Sequence, residues 1–242
     1  MTRFFVDQVA GGRVLLSKED SHHLLRVMRA EVGVPFTVLS GGMAYDCVLD
    51  AVEDGRAVGR VERNEPASGE PPVRITLFQG LAKGEKMETV IQHGTEIGIS
   101  EFVPVATARS VVKLDPKKAG ERVERWQRIA REAAEQSRRG AVPKVAPLLT
   151  WKQAVGRCGE FDLVLVPWEE GGEGLRKVLA QRPEARTIAL FIGPEGGLSP
   201  DEVALARELG AIAVTLGPRI LRTETAPLAA ASAILFERGD LG

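Results

Sequence analysis

The chain has 242 residues, a formal net charge of −1 and 44% hydrophobic residues, so it can form one large globular domain or two small ones. No apolar run approaches the ~18–20 residues that a membrane span needs, and the N-terminus lacks a signal-peptide core, so we expect a soluble cytoplasmic protein. Cys47 and Cys158 have no metal-ligand spacing with each other or with His22, His23 or His93, which favours two reduced, buried thiols and no metal site.

The N-terminal part of the chain predicts a small β-rich domain. Short runs of β-branched and apolar residues predict strands at 3–6, 14–16, 36–39, 45–52 and 57–62. One helix, at about 20–29, interrupts them. The segment 65–72 is rich in proline and glycine and has no apolar periodicity, which is typical of a linker. So many short strands predict a small β-barrel domain over 1–68.

After the linker, predicted strands and helices alternate to the end of the chain. The strands lie at 73–79, 101–106, 162–167, 187–192 and 211–216, and the helices at 85–98, 119–139, 173–181, 200–209 and 225–238. This alternation predicts an α/β domain over 73–242, in which helices cover a mostly parallel sheet. Ligands of such sheets bind beyond the carboxyl ends of the strands.

Two of these strands end at a Gly-Pro step. The first loop covers 193–197, and the second begins at Gly217 and leads to the last helix. Glycine allows close approach of the main chain to a ligand, so both loops, with the strand end at 165–169, predict a small-molecule pocket. Plain turns are the alternative, because Gly-Pro commonly marks loops. Neither loop fits the dinucleotide-binding or P-loop pattern, so those sites are poorly supported.

Positive charge is concentrated in residues 73–147, which carry 14 basic and 9 acidic side chains. A nucleic-acid surface would therefore be local rather than global. The helix at 119–139 carries arginines at positions 122, 125, 128 and 131, but glutamates interleave with them, so a salt-bridged solvated face is an equal alternative. The better candidates for phosphate contact are Arg138 and Arg139, together with Lys113, Lys117 and Lys118.

A second candidate for nucleic-acid contact lies near the N-terminus. His22 and His23 stand beside Arg26 and Arg29 on one short predicted helix. Together with Arg3 they could contact an RNA backbone. The alternative is a pair of neutral histidines that cap a core helix.

Five segments resemble one protein family in the family's order. They are 20–29, 83–98, 124–138, the Gly-Pro-Glu-Gly-Gly loop at 193–197, and 216–226, which reads Leu-Gly-Pro-Arg-Ile-Leu-Arg-Thr-Glu-Thr-Ala. The chain resembles the RsmE family, the 16S rRNA uridine-N3 methyltransferases, within the SPOUT class. The resemblance spans almost the whole chain.

The resemblance implies a SPOUT-type α/β fold: a knotted, mostly parallel sheet with helices on both faces, plus a PUA-like RNA-binding barrel. It implies S-adenosylmethionine as cofactor, 16S rRNA within the 30S subunit as substrate, and a homodimer. Lys83 and Lys86 would contact RNA phosphates or line the catalytic cleft. The implied cofactor-binding residues are Leu165, Pro167, Ile192, Gly193, Pro194, Glu195, Gly196, Gly197, Leu216, Gly217, Ile220, Leu221, Arg222, Thr225 and Ala226.

The implied reaction removes the proton of uracil N3, and negative charge spreads to O2 and O4. A guanidinium can stabilise that charge without changing its own, so we assign this role to Arg222. Glu224 would position the pocket or act as the base, and Glu195 is the alternative base. A structural ion pair between Arg222 and Glu224 competes with this interpretation. Two other functions stay open: ribose 2′-O-methylation on the same fold, and non-catalytic RNA binding in ribosome assembly.

Overall fold

The computed structural model describes residues 2–112 and 115–242, and these contain 13 strands and seven α-helices. The strands are β1 (Arg3–Phe5), β2 (Arg13–Leu15), β3 (Pro35–Ser40), β4 (Met43–Glu53), β5 (Arg56–Pro66), β6 (Arg74–Gly80), β7 (Glu101–Ala106), β8 (Lys144–Val145), β9 (Leu149–Thr150), β10 (Leu163–Pro167), β11 (Glu173–Gly174), β12 (Thr187–Ile192) and β13 (Ile212–Thr215). The helices are α1 (Lys18–His22), α2 (Lys86–Ile97), α3 (Pro116–Gln136), α4 (Trp151–Val155), α5 (Leu175–Gln181), α6 (Pro200–Glu208) and α7 (Ala226–Glu237). None of the described helices is long and apolar enough to span a bilayer.

The chain divides into two compact units. The first contains residues 1–70 and 134–142, and the second contains residues 71–133 and 143–242. The sequence prediction assigned all of 73–242 to one domain and did not anticipate that 134–142 joins the first unit. The reason is a set of non-local bonds: Glu70 accepts from the Arg139 guanidinium and from the backbone N–H groups of Gly140 and Ala141.

The first unit is built on one five-stranded sheet in the order β1-β3-β4-β5-β2. β1 runs parallel to β3, and the other pairs are antiparallel. Phe4 and Phe36 pack edge to face in its core, beside the fully buried Leu16 and Leu24. The predicted helix at 20–29 is instead the short α1, capped by Ser17, followed by a π-helical turn at His23–Val27.

The second unit is built on an eight-stranded sheet in the order β11-β13-β10-β12-β6-β7-β8, with β9 also paired to β7. All its described strand pairs are parallel. The buried strands are almost continuously apolar, as a sheet covered on both faces requires. The prediction of a mostly parallel α/β sheet is confirmed.

Helices cover both faces of this sheet. On one face, α4 and α6 pack over a cluster that contains Phe78 and Phe191, whose rings stack with centroids 4.3 Å apart. Side chains alternate along a strand, so Leu77 and Leu190 point to the opposite face. There α7 packs against α2 and α5.

The strand order brings four loops to one edge. β13, β10, β12 and β6 are consecutive neighbours, and all are parallel. Their carboxyl ends are therefore followed, side by side, by the segments 216–225, 168–172, 193–199 and 81–85. This edge is where open α/β sheets bind ligands.

Candidate functional site

A cavity of about 380 Å³ lies at this edge of the second unit. Its volume falls within the ~300–1,000 Å³ range of small-molecule pockets. Three loops and the first residues of two helices line it. The lining residues are Lys86, Pro167, Trp168, Glu169, Ile192, Gly193, Pro194, Glu195, Gly197, Leu198, Thr215, Leu216, Gly217, Pro218, Arg219, Ile220, Leu221, Arg222, Thr223 and Ala226.

Most of the residues predicted to bind the cofactor lie on this cavity. Twelve of the 15 line it, and the exceptions are Leu165, Gly196 and Thr225. Leu165 is fully buried within β10. The main chain of Gly196 is held by Arg109 instead. The lining residues that the prediction omitted include Thr215, Pro218, Arg219 and Thr223, which lie beside predicted positions; Pro218 belongs to the second Gly-Pro step.

The first loop, residues 193–198, requires its glycines. Gly197 has a φ of 69°, in the left-handed region, and a Cβ there would collide with the Glu169 carboxylate. A Cβ on Gly193 would lie 2.7 Å from the backbone carbon of Gly197. Glycine is therefore needed for the turn itself, as the plain-turn alternative expects, and the close approach of the main chain to a ligand stays a prediction.

Arg109 fixes this loop from outside the cavity. Its Nη1 donates to the carbonyl of Gly196 at 3.0 Å and to that of Leu198 at 3.3 Å. The loop then enters α6 through a capping box between Ser199 and Glu202, and Glu202 also accepts from the Ala108 backbone N–H at 2.8 Å. Arg109 was not predicted, because bonds to distant backbone carbonyls leave no pattern in the sequence.

A buried polar network joins the first loop to the second loop, residues 216–225. The Thr223 hydroxyl donates to the Gly193 carbonyl at 2.7 Å and accepts from Gln79 Nε2 at 3.0 Å. Gln79, at the end of β6, is only 1% exposed. Its Oε1 is buried and has no hydrogen-bond partner among the described residues. Thr223 therefore bonds the second loop, at the position between Arg222 and Glu224, to the end of β6 and to the first loop.

A charged cluster stands at the start of α2. Lys86 Nζ lies 3.2 Å from Glu195 Oε1 and 3.4 Å from Glu224 Oε2, so one ammonium joins a carboxylate from each loop. Glu195 Oε1 also accepts from the Lys83 backbone N–H at 2.9 Å. Lys86 and Glu195 line the cavity, whereas Glu224 does not.

The cluster changes the proton affinity of two of its members. Burial raises the pKa of Glu195, but hydrogen bonds from the backbone N–H groups of Lys83 and Glu195 and from Lys86 outweigh it, so the net pKa is lowered. The hydrogen bond to Glu195, opposed by desolvation and reinforced by the charge of Glu224, raises the pKa of Lys86. At neutral pH the cluster therefore holds an ammonium and an ionised Glu195.

Arg222 lines the cavity and is exposed. Its carbonyl accepts from the backbone N–H groups of Thr225 and Ala226 at the start of α7. No side-chain hydrogen bond or ion pair of Arg222 is found within residues 2–112 and 115–242, so its guanidinium stays free to meet a ligand. The alternative ion pair with Glu224 is not formed there, because Glu224 pairs with Lys86.

The first unit carries the predicted N-terminal contact residues on its surface. His22, His23, Arg26 and Arg29 are exposed, and the His23 ring packs edge-on against Phe4, with the centroids 6.3 Å apart. The alternative in which the histidines cap a helix is met in part, because His22 ends α1 and His23 is its C-cap residue, although both side chains are exposed. Arg3 Nη1 donates to the Arg138 carbonyl at 3.0 Å, and the Arg138 side chain is exposed.

Arg139 departs from its predicted role in RNA binding. It is 3% exposed, and its guanidinium forms an ion pair with Glu70. A buried guanidinium that is already paired cannot reach a phosphate without breaking that pair, so its role is structural. Lys83, Lys117 and Lys118 are exposed, and Lys113 lies outside the described residues. Arg125 of α3 pairs with Glu88 of α2 at 2.8 Å, so its partner is not one of the interleaved glutamates of its own helix.

Comparison with known proteins gives consistent matches over nearly the whole chain. Residues 69–235 match the model of an RNA methyltransferase domain. The protein named ribosomal RNA small subunit methyltransferase E of Bacillus subtilis is 39% identical over 93% of this chain and 92% of its own length. That of Mycobacterium tuberculosis is 34% identical over 96% and 90%. The crystal structure of this enzyme from Neisseria gonorrhoeae, bound to S-adenosyl methionine, superposes with a TM-score of 0.85 at 33% identity, covering 97% and 96% of the two chains.

Proposed function

The chain belongs to the ribosomal RNA small subunit methyltransferase E family, and from this premise we propose that it transfers a methyl group from S-adenosylmethionine to N3 of one uridine in 16S rRNA. The observation that carries the proposal is the cavity at the carboxyl ends of β10, β12 and β13, where glycine turns adjoin a free arginine. The uridine and its place in the decoding region are the finer part of the proposal.

The cavity suits S-adenosylmethionine. Ile192, Leu198, Leu216 and Leu221 give it an apolar wall that fits the flat adenine ring. The main chain of both loops offers hydrogen-bonding groups to the ribose and methionine parts, because the glycines keep side chains out of the way. Bound there, S-adenosylmethionine supplies an electrophilic methyl group on a positively charged sulfur.

The protein's part in the reaction is to hold the base and to manage its charge. Loss of the N3 proton leaves negative charge on the uracil carbonyl oxygens. Arg222 lines the cavity, has no described side-chain partner and carries a permanent charge, so it can donate to one of those oxygens. The target base must be unpaired or flipped out, because N3 is a pairing position.

RNA recognition is assigned to both units. The exposed residues Arg26, Arg29 and Arg138 of the first unit can contact phosphates, and the exposed Lys83 stands beside the cavity-lining Lys86. This assignment predicts binding that weakens as salt is raised. We place the enzyme in the cytoplasm, where its ribosomal substrate is assembled.

A homodimer is part of the proposal. The exposed side of α7 presents Ala229, Ala233 and Phe236, one helical turn after another, and Phe236 is 65% exposed. An exposed apolar stripe of this kind is typical of a protein interface. Sedimentation of wild type and Phe236→Glu tests it: the wild type should sediment as a dimer and the variant should shift toward monomer.

The decisive experiment incubates the protein with labelled S-adenosylmethionine and 30S particles from a strain that lacks the enzyme. Nucleoside mass spectrometry of the isolated 16S rRNA should give N3-methyluridine, and mapping should place it at one position. A 2′-O-methylated nucleoside would instead show that the protein methylates ribose. Cofactor binding by calorimetry separates either enzyme from a non-catalytic RNA-binding protein.

A further inference from the structure

Two carboxylates meet the same ammonium at the cavity, and the reaction needs one proton acceptor. We propose that Glu195 accepts the proton of uridine N3, and that Lys86, anchored by Glu224, holds the Glu195 carboxylate in the position to do so. This inference rests on the proposed function, and it assigns three side chains to distinct roles.

Glu195 and Glu224 differ in how accessible their carboxylates are to a ligand in the cavity. Glu195 lines the cavity, and its side chain is 28% exposed. The contacts from Lys83 and Lys86 both go to Oε1, so Oε2 takes no hydrogen bond from another described residue. Glu224 does not line the cavity, and its Oε2 is fully buried with Lys86 Nζ 3.4 Å away. Of the two carboxylates that meet Lys86, Glu195 is therefore the one that offers an oxygen to a ligand in the cavity.

The position of Lys86 explains why Glu195 stays in place. Lys86 is the first residue of α2, and its ammonium reaches both loops. Glu224 follows Thr223, which is itself bonded to the first loop through Gly193. Glu224 thus fixes the ammonium, and the ammonium and the Lys83 N–H fix Glu195 Oε1. Lys86 and Glu224 are positioning residues in this scheme.

The charges fit the step. The cluster carries two carboxylates and one ammonium, so its net charge is negative before the reaction and neutral after it gains a proton. The N3–H bond breaks as its proton passes to Glu195, and the negative charge spreads to the carbonyl oxygens, where Arg222 stabilises it. N3 then bonds to the methyl carbon, and the electron pair of the methyl–sulfur bond stays on sulfur to leave a neutral thioether. Because Arg222 stabilises the N3 anion, it makes N3–H more acidic and so favours proton transfer to the carboxylate.

Other charged groups around the cavity also influence the titration of Glu195. Arg219 and Arg222 come from the second loop and Glu169 from the loop after β10, and all three line the same cavity. Glu195 must be ionised to act, so the rate should fall as the pH falls through its lowered pKa. Lys86 lowers the pKa of Glu195, whereas desolvation raises it. Removal of the Lys86 ammonium should therefore raise the pKa of Glu195, and this acid limb should move to higher pH.

The test compares Glu195→Gln, Glu224→Gln and Lys86→Met in single-turnover methylation of 30S particles at saturating cofactor. Glu195→Gln should lower the rate by about 10²–10⁴-fold, the range expected for a lost general base, with cofactor affinity retained. Glu224→Gln should lower it by less than about tenfold. A larger loss for Glu224→Gln than for Glu195→Gln would overturn the assignment.

The pH profile gives an independent readout. Lys86→Met should shift the acid limb upward, whereas Lys83→Met is the matched control, because Lys83 contacts Glu195 through its backbone N–H alone. An acid limb in Lys86→Met that coincides with the Lys83→Met limb would contradict the role of Lys86. The wild type assayed in parallel must form N3-methyluridine, so failure of the proposed function would show there and not in the variants.

Discussion

The two loops of the cavity differ in how firmly the rest of the protein holds them. The first loop is fixed from three sides, by Arg109, by Thr223 and by the Lys83 and Lys86 contacts to Glu195. In the second loop, residues 217–220 are exposed, and Ile220 is 86% exposed. One wall of the cavity is therefore preformed, while the wall that carries Arg222 has fewer bonds to restrain it.

This difference suggests a division of labour. A preformed wall binds a small cofactor without losing much conformational entropy on binding. A loosely held exposed loop can adjust to a large RNA substrate. Changes to the backbone conformation of the first loop should therefore act mainly on cofactor affinity, whereas changes to the Arg222 side chain, like those to the Glu195 carboxylate, should act mainly on turnover. Four substitutions test that separation, in order of decreasing expected effect.

Arg222→Ala should have the largest effect. Loss of one donor to a developing oxyanion typically lowers the rate by ~10²–10³, about 2.7–4 kcal/mol, and cofactor affinity should be retained. Arg222→Lys should recover only part of the rate, because an ammonium cannot reproduce the planar two-pronged donor. Single-turnover methylation and calorimetric titration measure the two quantities. A parallel loss of cofactor affinity and melting temperature would instead indicate a structural arginine.

Gly197→Ala should weaken cofactor binding. The new alanine would have to adopt a positive φ, and its Cβ would collide with the Glu169 carboxylate. Strained positions of this kind cost ~1–3 kcal/mol, or roughly 5–150-fold in affinity. Gly196→Ala is the matched control, because a Cβ there would lie 3.1 Å from Arg109 Cβ at an ordinary φ. Equal dissociation constants for the two variants would refute the preformed wall.

Thr223→Val should act on both loops at once. It keeps the shape of the side chain but removes the hydroxyl bonds to Gln79 Nε2 and to the Gly193 carbonyl, which keep only the longer contacts of Nε2 with the Gly80 carbonyl at 3.2 Å and the Gly193 carbonyl at 3.5 Å. Loss of the two bonds, each worth ~0.5–1.5 kcal/mol, should cost about 1–3 kcal/mol of the free energy of unfolding, measurable by chemical denaturation. The single-turnover rate should also fall, because Arg222 is adjacent. Thr223→Ser retains the hydroxyl and should restore both; if it behaves like Val, the hydroxyl is not responsible.

Arg109→Met should have the smallest effect. It removes two hydrogen bonds to carbonyls of the first loop, one exposed and one partly buried, each worth about 0.5–1.5 kcal/mol or less. We expect a few-fold weaker cofactor binding by calorimetry and an unchanged single-turnover rate at saturating cofactor. A drop in that rate with normal affinity would mean that the backbone conformation of the first loop also governs turnover.

Much of the fold was predictable because its patterns are local. Alternating apolar strands and helices identified the parallel sheet, and each Gly-Pro step marked a strand end that proved to border the cavity. β8, β9 and β11 were missed, since strands of two residues carry no periodicity. The π-helical turn after α1 was missed for a similar reason: its residues also suit an α-helix.

What the sequence could not supply depends on distant partners. Gln79 and Thr223 are 144 residues apart, and Arg109 reaches carbonyls rather than side chains. Arg139 was predicted to face RNA because it ends a basic helix, yet its charge is matched by Glu70, 69 residues away. Local spacing identifies which residues could take part in binding or catalysis. The tertiary structure decides which of them are already paired with other groups of the protein.

The bond between Glu70 and the segment 139–141 has a consequence for synthesis of the chain. The first unit contains residues 1–70 but also 134–142, so it is complete only after that later segment has left the ribosome. At ~5–20 residues per second, the first 70 residues wait roughly 3–15 s for this segment. During that interval the carboxylate of Glu70 lacks the four N–H donors that it has in the finished protein, two from Arg139 and one each from Gly140 and Ala141. The N-terminal unit therefore cannot fold to completion until residue 142 has been made, although this is still earlier than the second unit, which needs the chain through residue 242.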